Sequence, residues 1–115
     1  MAERYTITHF EDVPPRACPC GETRRAFVEE PEGVATFHRV RIRADSRVHY
    51  HKRLTEIYYV LEGTGRLELD GESHEVGPGS VAMIKPLCRH RATGELTVLI
   101  VAIPAFDPED EWFDE

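Results

Sequence analysis

His49 and His51 stand two residues apart, Glu56 follows five after His51, and His90 comes 34 residues past Glu56. Imidazole nitrogens and carboxylate oxygens are the donors that borderline divalent ions prefer. On a strand, a spacing of two puts both imidazoles on one face. Lys52-Arg53-Leu54-Thr55 then offers a bend, after which the next strand starts at Glu56. Around a barrel, with His90 on a later strand, the four side chains converge on one interior point. Three imidazoles and one carboxylate suit a single divalent transition metal ion: Fe, Mn, Ni, Co, Cu or Zn. On an octahedral ion they leave two adjacent positions open, which is what a catalytic metal requires. A lone histidine on a strand is ordinarily a core or surface residue, and six histidines in 115 residues make one His-x-His pair unremarkable. The carboxylate five residues on and Gly63 seven beyond it are what narrow the reading.

Two further residues belong to the same inward surface. Tyr58 lies two after Glu56 and shares its face, so its phenol can serve as acid, base or substrate anchor; the bland alternative is a core aromatic. Thr36 to Ile42 alternates, with Thr36, His38, Val40 and Ile42 on one face and Phe37, Arg39 and Arg41 on the other. The arginine face is expected to be wet, which turns His38 inward as a proton-transfer or positioning residue, or as barrel filling. Lys85 is expected near the barrel mouth as a solvated side chain. Cys18-Pro19-Cys20 lacks the second cysteine or histidine pair that a thiolate metal site uses.

The elements that must position these residues are short strands. Turn signals fall at Glu62-Gly63-Thr64-Gly65, Asp70-Gly71, Gly77-Pro78-Gly79 and Thr93-Gly94, and helical periodicity is almost absent. Leu69-Asp70-Gly71-Glu72 predicts a two-residue hairpin joining strands Arg66 to Leu69 and Glu72 to Val76. Ile57 to Leu61 and Leu96 to Ile103 are apolar on both faces, as strands between packed layers or at a subunit interface are. In residues 1–23, Pro14-Pro15 and Cys18-Pro19-Cys20-Gly21 forbid a long regular element.

The stretch from His49 to Gly63 resembles the first motif of the cupins, G-x5-H-x-H-x(3,4)-E-x6-G, with Arg43 in place of the leading glycine. The stretch from Gly79 to Gly94 resembles the second, G-x5-P-x-G-x2-H-x3-N. Gly79 and His90 match in register, while Lys85, Leu87 and Gly94 replace the motif's Pro, Gly and Asn. These replacements bear on the shape of the loop before His90. The resemblance covers roughly residues 34–103. It implies an all-β double-stranded β-helix, or jelly-roll, barrel with a metal inside one mouth, and a homodimer. It also implies a small-molecule substrate or ligand. Small cupins include isomerase-like proteins, dioxygenases, lyases, epimerase-like proteins and ligand-binding sensors, and fold alone does not choose among them.

Composition narrows the partners. The length predicts one domain over 1–115, with a core of about 34–103, an N-terminal arm 1–23 and an acidic tail 104–115. The net charge of −7 is concentrated in that tail, which holds Asp107, Glu109, Asp110, Glu111, Asp114 and Glu115. Setting those six aside leaves 15 acids against 14 Lys and Arg. Arg24, Arg25, Arg39, Arg41, Arg43 and Arg47 alternate with apolar residues and read as the wet face of strands. No basic patch favours nucleic acid. The longest apolar run, Val98 to Ile103, is far short of the ~20 residues a membrane span needs. The opening Met-Ala-Glu-Arg lacks the apolar stretch of a signal peptide. A cytoplasmic chain with three reduced cysteines is the expectation. The tail is expected to start a helix, with Asp107 as cap and Pro108 at its first position. Phe106, Trp112 and Phe113 would dock it on the barrel while the acids stay in water. Its charge argues for an edge or dimer position away from the metal, so that its deletion would lower stability but spare metal content. The functional expectation is a metal-dependent isomerase, lyase or dioxygenase; the alternative is a sensor cupin without turnover.

Overall fold

The computed structural model describes residues 4–114, so the reading of Met1 to Glu3 and of Glu115 lies outside it. Seven antiparallel strands follow in chain order: β1 Arg16–Cys18, β2 Gly21–Ala26, β3 Thr36–Ile42, β4 Thr55–Leu69, β5 Glu72–Val76, β6 Val81–Ile84 and β7 His90–Ile103. Hydrogen-bonded neighbours run β1-β2-β3-β7-β4-β5, and β6 pairs with the first half of β4 on the same edge that β5 takes in the second half. No helix among the described residues is long and apolar enough to cross a membrane. The all-β jelly-roll reading holds.

Pleat and burial agree on β3, where Thr36, His38, Val40 and Ile42 are buried and Arg41 is exposed. The Asp70-Gly71 hairpin also forms, with Leu69 opposite Glu72 and both central residues at positive φ, 48° and 85°. That is the conformation Asp-Gly tolerates at least cost.

Two of the turn signals sit inside strands instead. Gly63 and Gly65 lie in β4, and Gly94 lies opposite Gly65 in β7. A β-carbon on Gly63 would run into the Glu95 carbonyl, and one on Gly94 would lie 2.9 Å from the Gly65 α-carbon. Glycine here marks backbones in close approach, next to a break in register between Val60 and Glu62, and not a strand end. β4 and β7 therefore stay paired from Thr55–Ile103 through to Leu69–His90. The first half of each strand consequently reaches one part of the barrel and the second half another.

The core is Val40, Ile42, Tyr58, Val60, Leu67, Ile84, Ala92, Leu96, Val98 and Ile100. The opposite face of the same strands is less covered. Tyr59, Leu61 and Ile103 are each about 40% exposed, and Val81 and Met83 on β6 more so. Before β3, a 3-10 turn Phe10–Asp12 and the β1–β2 hairpin extend the sheet, β2 pairing with β3 from Gly21–Ile42 to Ala26–Phe37.

Candidate metal centre

His49 and Tyr50 lie in the connection between β3 and β4, each making only an isolated bridge, His49 to His90 and Tyr50 to Trp112. The stretch is extended without belonging to a ladder. His90 opens β7, and Glu56 is the second residue of β4. The three imidazoles gather with ring centroids 4.4 Å (His49 to His90) and 5.5 Å (His51 to each of the others) apart. One ligating atom from each lies within 4.8 Å of the other two.

Backbone carbonyls decide which nitrogens these are. His49 Nδ1 donates to the Arg47 carbonyl at 3.0 Å, His51 Nδ1 to the Asp110 carbonyl at 2.7 Å, and His90 Nδ1 to the Cys88 carbonyl at 2.9 Å. A carbonyl only accepts, so each Nδ1 carries the proton and each neutral ring keeps its lone pair on Nε2. Such carbonyl partners fix tautomer and orientation in histidine metal sites. Glu56 Oε1 lies 3.1 Å from His51 Nε2 and 3.2 Å from His90 Nε2. The approach to His90 lacks hydrogen-bond alignment, and both Glu56 Oε1 and His90 Nε2 are buried without a hydrogen-bond partner. Burial pushes the Glu56 carboxyl up; His51 and His90, when they also carry a proton on Nε2, outweigh it and hold the group well below the usual carboxylate range. Buried, convergent and unpaired donors of this kind fit a cation.

The cluster opens into a cavity of about 200 Å³. Tyr58 and His38 both line it, as alternation on β4 and β3 predicts. The Tyr58 ring stands perpendicular to His90 with centroids 6.4 Å apart; burial, then the negative charge of Glu56, raises its phenol well above 10. His38 Nε2 pairs with Thr36 Oγ1 at 2.8 Å, and burial together with Arg25 pushes its imidazole down to about 4.

The tail departs from the expectation. Asp107 caps a 3-10 turn, Pro108–Asp110, as predicted, but the segment lies beside the histidine cluster, where Glu111 and Phe113 line the cavity. Glu111 comes to 3.9 Å from His49 Nε2. Asp110 is buried at 3% exposure instead of sitting in water. Its carboxylate accepts from the backbone N–H groups of Lys52, Arg53 and Leu54 and from the Trp112 indole. Phe106 packs into the cavity against His38, while Trp112 and Phe113 remain about 40% exposed, so the outer part of the tail is held by an acid that satisfies three backbone donors.

A family model described as the Cupin domain matches residues 31–103. This chain is a cupin. It is 34% identical over 76 residues to an L-ectoine synthase of Mycolicibacterium gilvum, covering 64% of this chain and 57% of that one. The chain spans a little over half the length of the curated relatives it matches. A crystal structure of a protein from Planctomyces limnophilus superposes with a TM-score of 0.89 at 36% identity, covering 95% of this chain and 96% of the other. The nucleoside dehydratase Pac13 of Streptomyces, in a variant with uridine, superposes at 0.83 over 98% and 92% of the two chains; its 21% identity makes that a likeness of fold.

Against the cupin motif, the loop before His90 keeps its path at a cost. Leu87 occupies the motif's glycine position and holds a left-handed φ of 78°. Its N–H donates to the His51 carbonyl at 2.7 Å, which ties this loop to the other ligand-bearing segment. Lys85 is exposed and does not line the cavity. Cys18 and Cys20 are joined as a disulfide at the cavity rim, against the expectation of reduced thiols, because the Cys-Pro-Cys turn brings their sulfurs together; Cys88 is free and half-buried.

The arginines divide, where a uniformly wet face was expected. Arg39 pairs with Glu11, and Arg24 donates to the carbonyls of Phe10 and Val13. Arg25 and Arg47 line the cavity and lie over the rings of Phe106 and Phe113. Arg25, Thr23, Asp110 and Glu111 are the cavity and support residues that sequence reasoning missed. For Thr23 and Arg25 a signal exists: they share one face of β2 opposite Val40 and His38. For the tail none does, since its place depends on the folded connection at residues 49–54.

Proposed function

We propose that His49, His51, His90 and Glu56 hold one divalent transition metal ion, and that the chain is a metal-dependent enzyme acting on a small polar organic molecule by isomerase-, lyase- or dioxygenase-type chemistry. The observation that carries this is the set of three imidazoles whose Nδ1 atoms are anchored on carbonyls, with the Glu56 oxygen and the His90 Nε2 buried and unpaired between them. When bound, the metal supplies Lewis-acid activation of a substrate oxygen. Tyr58 stays protonated across the physiological range and so serves as a hydrogen-bond donor to a substrate oxygen. His38 stays neutral and, with Thr36 behind it, is suited to position a substrate through a hydrogen bond. A sensor cupin without turnover needs only a shaped cavity. The additional polar groups here, His38, Tyr58, Thr23 and Arg25, favour the enzyme.

The test is metal stripping with a chelator, followed by return of one equivalent of Mn, Fe, Co, Ni, Cu or Zn in turn. At least one ion should raise the melting temperature of the wild type and leave His51→Ala unmoved. A wild type that responds to none of the six contradicts the proposal.

The assembly proposal is a homodimer through the outer face of β4, β6 and β7. It is supported by Tyr59, Leu61, Val81, Met83 and Ile103, all substantially exposed. Light scattering should give twice the 13.2 kDa chain mass, and a monomer mass at micromolar concentration refutes it.

A further inference from the structure

The wall of the cavity formed by β2 holds polar groups that nothing in the fold satisfies. Thr23 is 3% exposed, and its Oγ1 has no hydrogen-bond partner. Arg25, two residues on and on the same face, has its Nε buried and likewise unpartnered. Its guanidinium carbon lies over Phe106 at 4.5 Å from the ring centroid. No carboxylate among the described residues comes within salt-bridge distance of it. Of the acids lining the cavity, Glu56 faces His51 and His90, while Glu111, beside His49, adds negative charge to the surroundings of Arg25 without pairing with it. Arg25 as a whole is half-buried, but its Nε is fully enclosed, and an enclosed donor is ordinarily paired. Arg16 adds further positive charge to the surroundings of Arg25.

We infer that Arg25 and Thr23 form an anion subsite, and that the substrate is a small organic acid whose carboxylate docks there while another of its oxygens faces the histidine cluster. A carboxylate is planar and singly charged, and matches the edge of one guanidinium with two parallel hydrogen bonds. Arg47, the other guanidinium lining the cavity, lies over Phe113, so the β2 pair offers one guanidinium and one hydroxyl, fewer donors than a phosphate dianion engages. The cavity of about 200 Å³ suits a molecule of a few carbons. This deepens the metal-enzyme reading and rests on it only for the substrate's second anchor.

The experiment is calorimetric titration of zinc-reloaded protein with malonate, its monoamide and inorganic phosphate, with zinc content measured on every sample. Arg25→Gln should weaken malonate about tenfold or more at unchanged zinc content, and Arg25→Lys should restore part of that loss. Wild type should bind malonate more tightly than phosphate. If Arg25→Gln fails to fold, Thr23→Val decides, with a weakening of several-fold expected. Malonate affinity unchanged in the folded variant, no malonate binding to wild type, or tighter phosphate binding overturns the subsite. Arg25-dependent malonate binding in a chain that takes up no zinc would leave the subsite standing and defeat the metal reading instead.

Discussion

The inner wall of the barrel and the tail after β7 both supply the histidine cluster, but by different means. On the wall, His38, Glu56, Tyr58 and His90 are strand residues, and the β3–β7 and β4–β7 ladders set their directions. The tail makes one bridge, Tyr50 to Trp112, and contributes a carbonyl, a carboxylate and a partly exposed ring. A side chain in a ladder is aimed by many neighbours. A group on the tail is aimed by the few bonds around Asp110, so the tail should open at lower free energy than the wall.

The largest effect should come from breaking the tail's anchor. Asp110→Ala leaves the N–H groups of Lys52, Arg53 and Leu54 without their acceptor, and should cost about 2–4 kcal/mol by denaturant unfolding. Because the same residue's carbonyl holds His51 Nδ1, deletion of 107–115 should lower metal affinity as well, by roughly 10- to 100-fold. Intact affinity after that deletion would reduce the tail to surface packing.

A second perturbation falls on the wall. The His38 imidazole is lowered from 6.5 to about 4. Between those values the unfolded chain binds more protons than the folded one, so stability is full above pH 6.5 and falls as pH drops through that window. One such group contributes up to about 3 kcal/mol. Arg25 and Glu56 act on it from β2 and β4 in opposite senses. His38→Gln should flatten the stability profile between pH 4 and 6.5; an unchanged profile would place the titration elsewhere.

The smallest effect sharpens the link between the two regions. Leu87, 56% exposed, holds its left-handed backbone with little burial in return. Leu87→Gly should stabilise the chain by up to about 1 kcal/mol. A loss of stability would mean that the side chain packs in a way its exposure does not suggest.

What was legible in the sequence is what period two encodes. The faces of Thr36 to Ile42, the Asp70-Gly71 hairpin and the inward pair Glu56 and Tyr58 follow from local rules alone. Gly63 and Gly94 misled because a glycine that ends a strand and one that lets two strands touch look alike without the partner strand. The arginines misled for a related reason. Arg25 and Arg39 are both strand residues beside apolar ones, and only the fold puts one inside on Phe106 and the other outside on Glu11. Asp110 was read as one more acid of a soluble tail, because its role is set by three N–H groups more than fifty residues away.

The central claim is that the histidine cluster binds a metal. Elemental analysis of protein purified without a metal-affinity tag tests it most directly. One transition metal ion per chain in the wild type, and little in His51→Ala, is the expected result. A folded wild type without metal, or equal content in both proteins, would contradict it.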